Sequence, residues 1–139
     1  MQIGINEKLK GRVEKLAHKY GLSLVLIFGS QAREETKRES DIDIAILASK
    51  KLSEKDMVYL NFEFTNILPI DRVDLVDIHG APPLLMKQIA DSAKVVYQKT
   101  SGEYPGFLIY ADRLYREARP LFDLRRARIF STVKNINKF

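Results

Sequence analysis

Asp41 and Asp43 flank a single isoleucine, and a Gly29-Ser30 pair stands ten residues upstream of them in the run Phe28-Gly-Ser-Gln-Ala-Arg-Glu-Glu-Thr-Lys-Arg-Glu-Ser-Asp-Ile-Asp-Ile44. The stretch Asp41-Ile-Asp43-Ile-Ala-Ile-Leu47 alternates in type, which predicts a strand on which residues i and i+2 share a face. The two carboxylates then project side by side while Ile42 and Ile44 enter the core. Like charges held so close destabilise a fold unless a cation lies between them. Ligation by oxygen alone suits Mg²⁺, which keeps several waters and shares its sphere with substrate phosphates. The apolar run Leu24 to Phe28 predicts a buried strand that delivers Gly29, where the missing side chain lets a triphosphate approach the backbone. Ser30 is expected to open a short helix whose free amides face the phosphates.

Each half of this pattern is weak alone, because Asp-x-Asp is common in solvated turns and strand ends and a Gly-Ser pair is commoner still. Four fixed identities at ordinary residue usage coincide at roughly 10⁻⁵ per start position, or about 10⁻³ over the chain, so the combination is specific where its parts are not. Arg33 and Lys37 follow within one or two helical turns of the pair; they either neutralise triphosphate charge or stand as solvated cations.

Gly29-Ser30, ten residues, Asp41-x-Asp43 resembles the signature of the polymerase-beta-like nucleotidyltransferases, and the short chain resembles their minimal nucleotidyltransferase (MNT) branch. The resemblance covers about residues 20 to 100. It implies a third carboxylate from a later strand, and Arg72-Val-Asp-Leu-Val-Asp-Ile78 matches that pattern at Asp74. Asp77 lies at an odd offset from Asp74 and is expected on the opposite face. The resemblance thus implies Asp41, Asp43 and Asp74 as catalytic residues and ligands of two Mg²⁺ ions, with ATP as substrate and Gly29, Ser30 and Arg33 on its phosphates. The chain departs from the pattern at Glu34, where relatives commonly carry glycine after an Ala-Arg pair. That departure bears on the shape of the triphosphate loop and leaves the metal ligands intact.

The elements that must position these residues can be read from periodicity and breakers. Asn6 is expected to cap a helix with Leu9, Val13, Leu16, Ala17 and Tyr20 at helical spacing, closed by Gly21. Ser53 and Asp56 form a capping-box pair ahead of the stripe Met57, Leu60, Phe64, Ile67 and Leu68, a helix that ends before a turn bearing Asp71. Gly80-Ala-Pro-Pro breaks the chain, Pro83 sits in the first turn of a helix to about Asp91, and Lys94-Val-Val-Tyr-Gln98 is a short last strand. The order predicts an α+β domain with a small mixed sheet carrying all three carboxylates on one face. Residues 1–100 are expected to form the catalytic domain and 101–139 a helical extension packing on that domain, on a partner, or on both. Ser101 to Gly106 is the expected hinge, followed by Phe107, Ala111, Leu114, Ala118 and Leu121 at helical period, with a kink or restart at Pro120.

The 139 residues fit one domain. With no cysteine there is neither disulfide nor thiolate metal site, in keeping with a reducing compartment. No leader pattern or bilayer-length apolar run is seen, so a soluble cytoplasmic protein with no membrane association is expected. The net charge of +5 is uneven: residues 1–100 carry 15 Lys and Arg against 14 Asp and Glu, and 101–139 carry 8 against 4. Such an excess is a solvated face or favours an acidic partner or RNA; direct nucleic-acid binding is not expected. His18 and His79 read as surface histidines, and no zinc spacing, Walker-type Gly-Lys-Ser or hydrolase order occurs.

By resemblance, MNT proteins of this length are the antitoxin members of a two-gene module whose other product is a helical HEPN-domain ribonuclease toxin. The resemblance implies AMP transfer from ATP to a tyrosine of that toxin. Two alternatives stay open here: an antitoxin that acts by contact alone, and an adenylyltransferase of small molecules such as aminoglycosides. Intact paired carboxylates argue against the first, and the small room left by residues 101–139 for a substrate domain argues against the second.

Overall fold

Leu9, Val13, Leu16 and Ala17 are all buried along one side of helix α1 (Glu7–Tyr20), and Gly21 follows it at φ +67°, a left-handed value that closes a helix at little cost only in glycine. The computed structural model describes residues 7–29, 41–68 and 72–136. Strand β1 (Leu22–Phe28) comes next, then β2 (Asp41–Ala48), α2 (Glu54–Ile67), β3 (Arg72–Asp77), a 3-10 turn (Ile78–Gly80), α3 (Pro83–Ser92), β4 (Lys94–Gln98) and α4 (Glu103–Ile136). The Ser53 side chain caps α2 by accepting from the Asp56 amide at 3.1 Å, and Pro83 occupies the first turn of α3, where its missing N–H costs nothing. Asn6 and Asp71 lie outside the described residues.

The four strands form one mixed sheet in the order β3-β2-β1-β4. β1 pairs antiparallel with β2 and β4, whereas β2 and β3 run parallel, with α2 as the crossover that a parallel pair requires. Alternation divides the core between the two faces of this sheet. On one face Val25, Ile27, Ile42, Ile44, Ile46 and Val73 pack with Val13 and Leu16 of α1 and Leu60 and Phe64 of α2. On the other, Leu24, Leu26, Phe28 and Ala45 pack with Ile78, Met86 and Ile89, and with Phe107 and Ala111 of α4. The architecture is the expected α+β domain with a C-terminal helix.

Two local expectations need correction. The proposed hinge at Ser101 to Gly106 is mostly helix: α4 begins at Glu103, and the Gly106 amide already bonds the Gly102 carbonyl at 3.0 Å. Pro105 falls in the first helical turn, where its lack of an N–H is harmless, and Phe107 and Ala111 are pulled into the core. Nor does the chain restart at Pro120, since α4 runs unbroken through it. Arg116, whose carbonyl the proline four residues on leaves unpaired, is exposed, so that carbonyl can turn to water instead of costing a buried hydrogen bond. Among the described residues, no helix is long and apolar enough to cross a membrane.

Candidate active site

Parallel pairing of β2 with β3 sets Asp43 opposite Asp74 and Asp41 opposite Arg72, while antiparallel pairing with β1 sets Asp43 opposite Phe28. Ile42, Ile44 and Val73 are buried on the α1/α2 side, so Asp43 and Asp74 occupy the intervening positions that face the other way. Adjacent strands lie about 4.8 Å apart, which brings these two carboxylates within reach of one shared cation. Asp41 stands two residues before Asp43 on the same strand. The donor set is oxygen only and adjacent, so it fits Mg²⁺ better than a softer ion.

Asp74 is half-exposed, and its Oδ1 is 3.3 Å from the Arg72 Nε; solvent screening makes an ion pair of this kind weak. Asp43 is partly buried at the end of β1, against Gly29. Gly29 has φ +78°, and a side chain there would run into the Asp43 carboxylate. Glycine is therefore demanded twice at this position, by backbone conformation and by the close approach of a carboxylate. Its amide donates to Ser92 Oγ at 3.0 Å, a contact that sequence reasoning missed because the two residues are 63 positions apart. Ser30, Arg33 and Lys37 lie outside the described residues.

Asp77, at an odd offset from Asp74 and so on the opposite face, is engaged elsewhere. One of its carboxylate oxygens accepts from the Leu52 amide at 3.1 Å and the other from the His79 amide at 3.0 Å, tying the end of β3 to the start of the 3-10 turn. The His79 ring nitrogen Nε2 lies 2.6 Å from the Ala48 carbonyl, and His18 meets Tyr97 edge-on with ring centroids 6.3 Å apart. Both histidines are thus occupied away from the carboxylates.

Comparison with known proteins identifies the family. The family described as "Polymerase beta, Nucleotidyltransferase" matches residues 11–101. A Methanocaldococcus jannaschii protein provisionally named as a protein adenylyltransferase is 35% identical over 91 residues, covering 66% of this chain and 96% of that protein. Among solved structures, a toxin-antitoxin crystal structure with AMP-PNP superposes with a TM-score of 0.73 at 28% identity, over 89% of this chain and 98% of the other. A tri-AMPylated Shewanella oneidensis HEPN toxin in complex with MNT antitoxin gives a TM-score of 0.69 at 26% identity, over 91% and 98%. Matched to that family's model over residues 11–101, the chain belongs to the polymerase beta nucleotidyltransferase family.

Proposed function

We propose that the chain is an antitoxin that transfers AMP from ATP to a tyrosine hydroxyl of a cognate HEPN ribonuclease toxin and thereby silences it. The observation that carries this reading is the in-register Asp43 and Asp74 pair beside the Gly29 turn. It is joined by similarity to one solved complex that contains AMP-PNP and another whose HEPN toxin is AMPylated.

Gly29, Ser30 and Arg33 hold the β and γ phosphates, leaving the α-phosphorus over the carboxylate face. Asp41, Asp43 and Asp74 would hold two Mg²⁺ ions, whose charge neutralises the entering and leaving oxygens together. The tyrosine oxygen forms a new bond to the α-phosphorus as the bond to the bridging oxygen breaks, and pyrophosphate departs with that electron pair. Asp74, half-exposed on its strand, takes or orients the hydroxyl proton. The distal part of α4 adds a docking surface: Leu121, Leu124, Ile129, Phe130, Val133 and Ile136 are exposed among several arginines, a composition suited to an apolar, acid-rimmed partner face.

The test is to incubate the protein with ATP labelled at the α-phosphate, Mg²⁺ and the HEPN protein of the neighbouring reading frame. Label should appear on a toxin tyrosine, ribonuclease activity should fall, and D41N/D43N should abolish both while remaining folded. Silencing without label would establish inhibition by contact alone. Equal labelling by D41N/D43N would rule out the carboxylate mechanism.

A further inference from the structure

Among the described residues, Ser92 is the one buried side chain that is polar, with 9% exposure. It closes α3, and its hydroxyl donates to the Gln88 carbonyl one turn back at 3.0 Å. That back-bond alone is at best neutral for a helix. What distinguishes it is that the same oxygen also accepts the Gly29 amide at 3.0 Å, so that a relay runs from the Gly29 N–H through Ser92 Oγ to the backbone of α3. Gly29 is the residue with the freest backbone in the site, and it is pressed against the Asp43 carboxylate. Fixing its N–H fixes the peptide plane between Phe28 and Gly29, and with it the direction in which the chain leaves β1 toward Ser30.

We propose that Ser92 is a positioning residue for the triphosphate: it anchors the Gly29 peptide so that the Gly29 turn and the Asp43 carboxylate beside it keep the geometry that the β and γ phosphates need. Ser92 acts through Gly29. The Gly29 amide is committed inward, so what Gly29 offers a phosphate is the close backbone approach that its missing side chain allows. The inference rests on reading Gly29-Ser30 as the triphosphate site.

Ser92→Ala keeps helix propensity and removes only the hydroxyl, so the variant is expected to fold; thermal melting and circular dichroism check this. Titration with AMP-PNP and with AMP then separates positioning from packing, because AMP lacks the two phosphates that the turn serves. In S92A, AMP-PNP affinity should fall about tenfold, as expected when a buried amide loses its acceptor, while AMP affinity is unchanged. In the transfer assay KM for ATP should rise with little change in kcat. Ser92→Thr, which restores a hydroxyl able to bond one turn back, should recover AMP-PNP affinity. Equal loss of both nucleotides, or no loss of either, overturns the proposal and leaves the nucleotidyltransferase reading standing. A parent protein that binds AMP-PNP no better than AMP overturns both.

Discussion

Asp74 and Asp77 share a strand, a charge and a half-buried environment, yet the pleat sends them to opposite faces and so to opposite tasks. Asp74 sits across from Asp43, and its substitution by Asn removes a charge from the proposed cation site without disturbing a backbone partner. Asp77 uses its two oxygens on two separate amides, those of Leu52 and His79. An asparagine offers a single acceptor oxygen and strands one amide, at a cost of about 1–3 kcal/mol. D74N is therefore expected to lose AMP transfer by several orders of magnitude with its melting temperature retained, because the proposed mechanism places a charge at that position. D77N is expected to melt lower while each folded molecule keeps most of its activity. Melting curves beside initial rates decide this, and the reversed pattern would mean that Asp77 is the third carboxylate.

Between elements, α1 and α2 are clasped at their exposed rim by a cluster of three side chains. Tyr20 donates its hydroxyl to Glu63 at 2.6 Å and Lys19 its ammonium at 2.8 Å. Hydrogen bonds from Lys19 and then Tyr20 hold the Glu63 carboxyl below its ordinary 4.5, while burial first and the Glu63 bond second push the Tyr20 phenol up to about 12. The signs give two windows. The Glu63 contribution is complete above pH 4.5 and is lost as pH falls through its lowered value; the Tyr20 contribution is complete below pH 10.0 and is lost as pH rises toward about 12. E63Q should thus be less stable than the parent by about 1 kcal/mol at neutral pH, and the gap should close on acidification. Thermal melts from neutral pH down through the carboxylate range read this directly, and a constant gap would show that the clasp does not depend on the Glu63 charge. The sequence made the helices around this clasp legible because their periodicity is local, as in the buried row of α1 and the Ser53 cap of α2. The same holds for the strands and for the face of Asp43, which alternation fixes, whereas Asp74 is identified through the family resemblance and set opposite Asp43 by the parallel register of β3. The Ser101 to Gly106 segment misled because glycine and proline are read as breakers wherever they occur, whereas Pro105 was placed in a first turn and the core drew Phe107 inward. Ser92 carried no local signal, since a serine at a helix end gains its meaning from a glycine that arrives from another part of the chain.

For the molecule as a whole, the unresolved balance lies along α4, whose 34 residues span about 51 Å, longer than the sheet it packs on. Phe107 and Ala111 belong to the core shared with α3, and Leu108 and Leu114 pack against it. Beyond Ala118 the described side chains are nearly all exposed, and half of the exposed large hydrophobics among the described residues stand at position 121 or later. An isolated helical segment gains its stability mainly by burying an apolar face, so this stretch has the composition of a surface awaiting a partner while the first three turns serve the domain. Cutting the chain at two points should separate these roles. A protein ending at Ala118 is expected to stay folded and to bind AMP-PNP as the parent does, while its association with the HEPN partner weakens and loses part of its salt dependence with the removed arginines. A protein ending at Gly106 should unfold or aggregate, because it lacks Phe107 and Ala111. Calorimetric titration of the Ala118 variant with nucleotide and with partner tests both halves of the argument: unchanged partner affinity would remove the docking role of the distal helix, and loss of AMP-PNP binding would assign that helix to the catalytic domain.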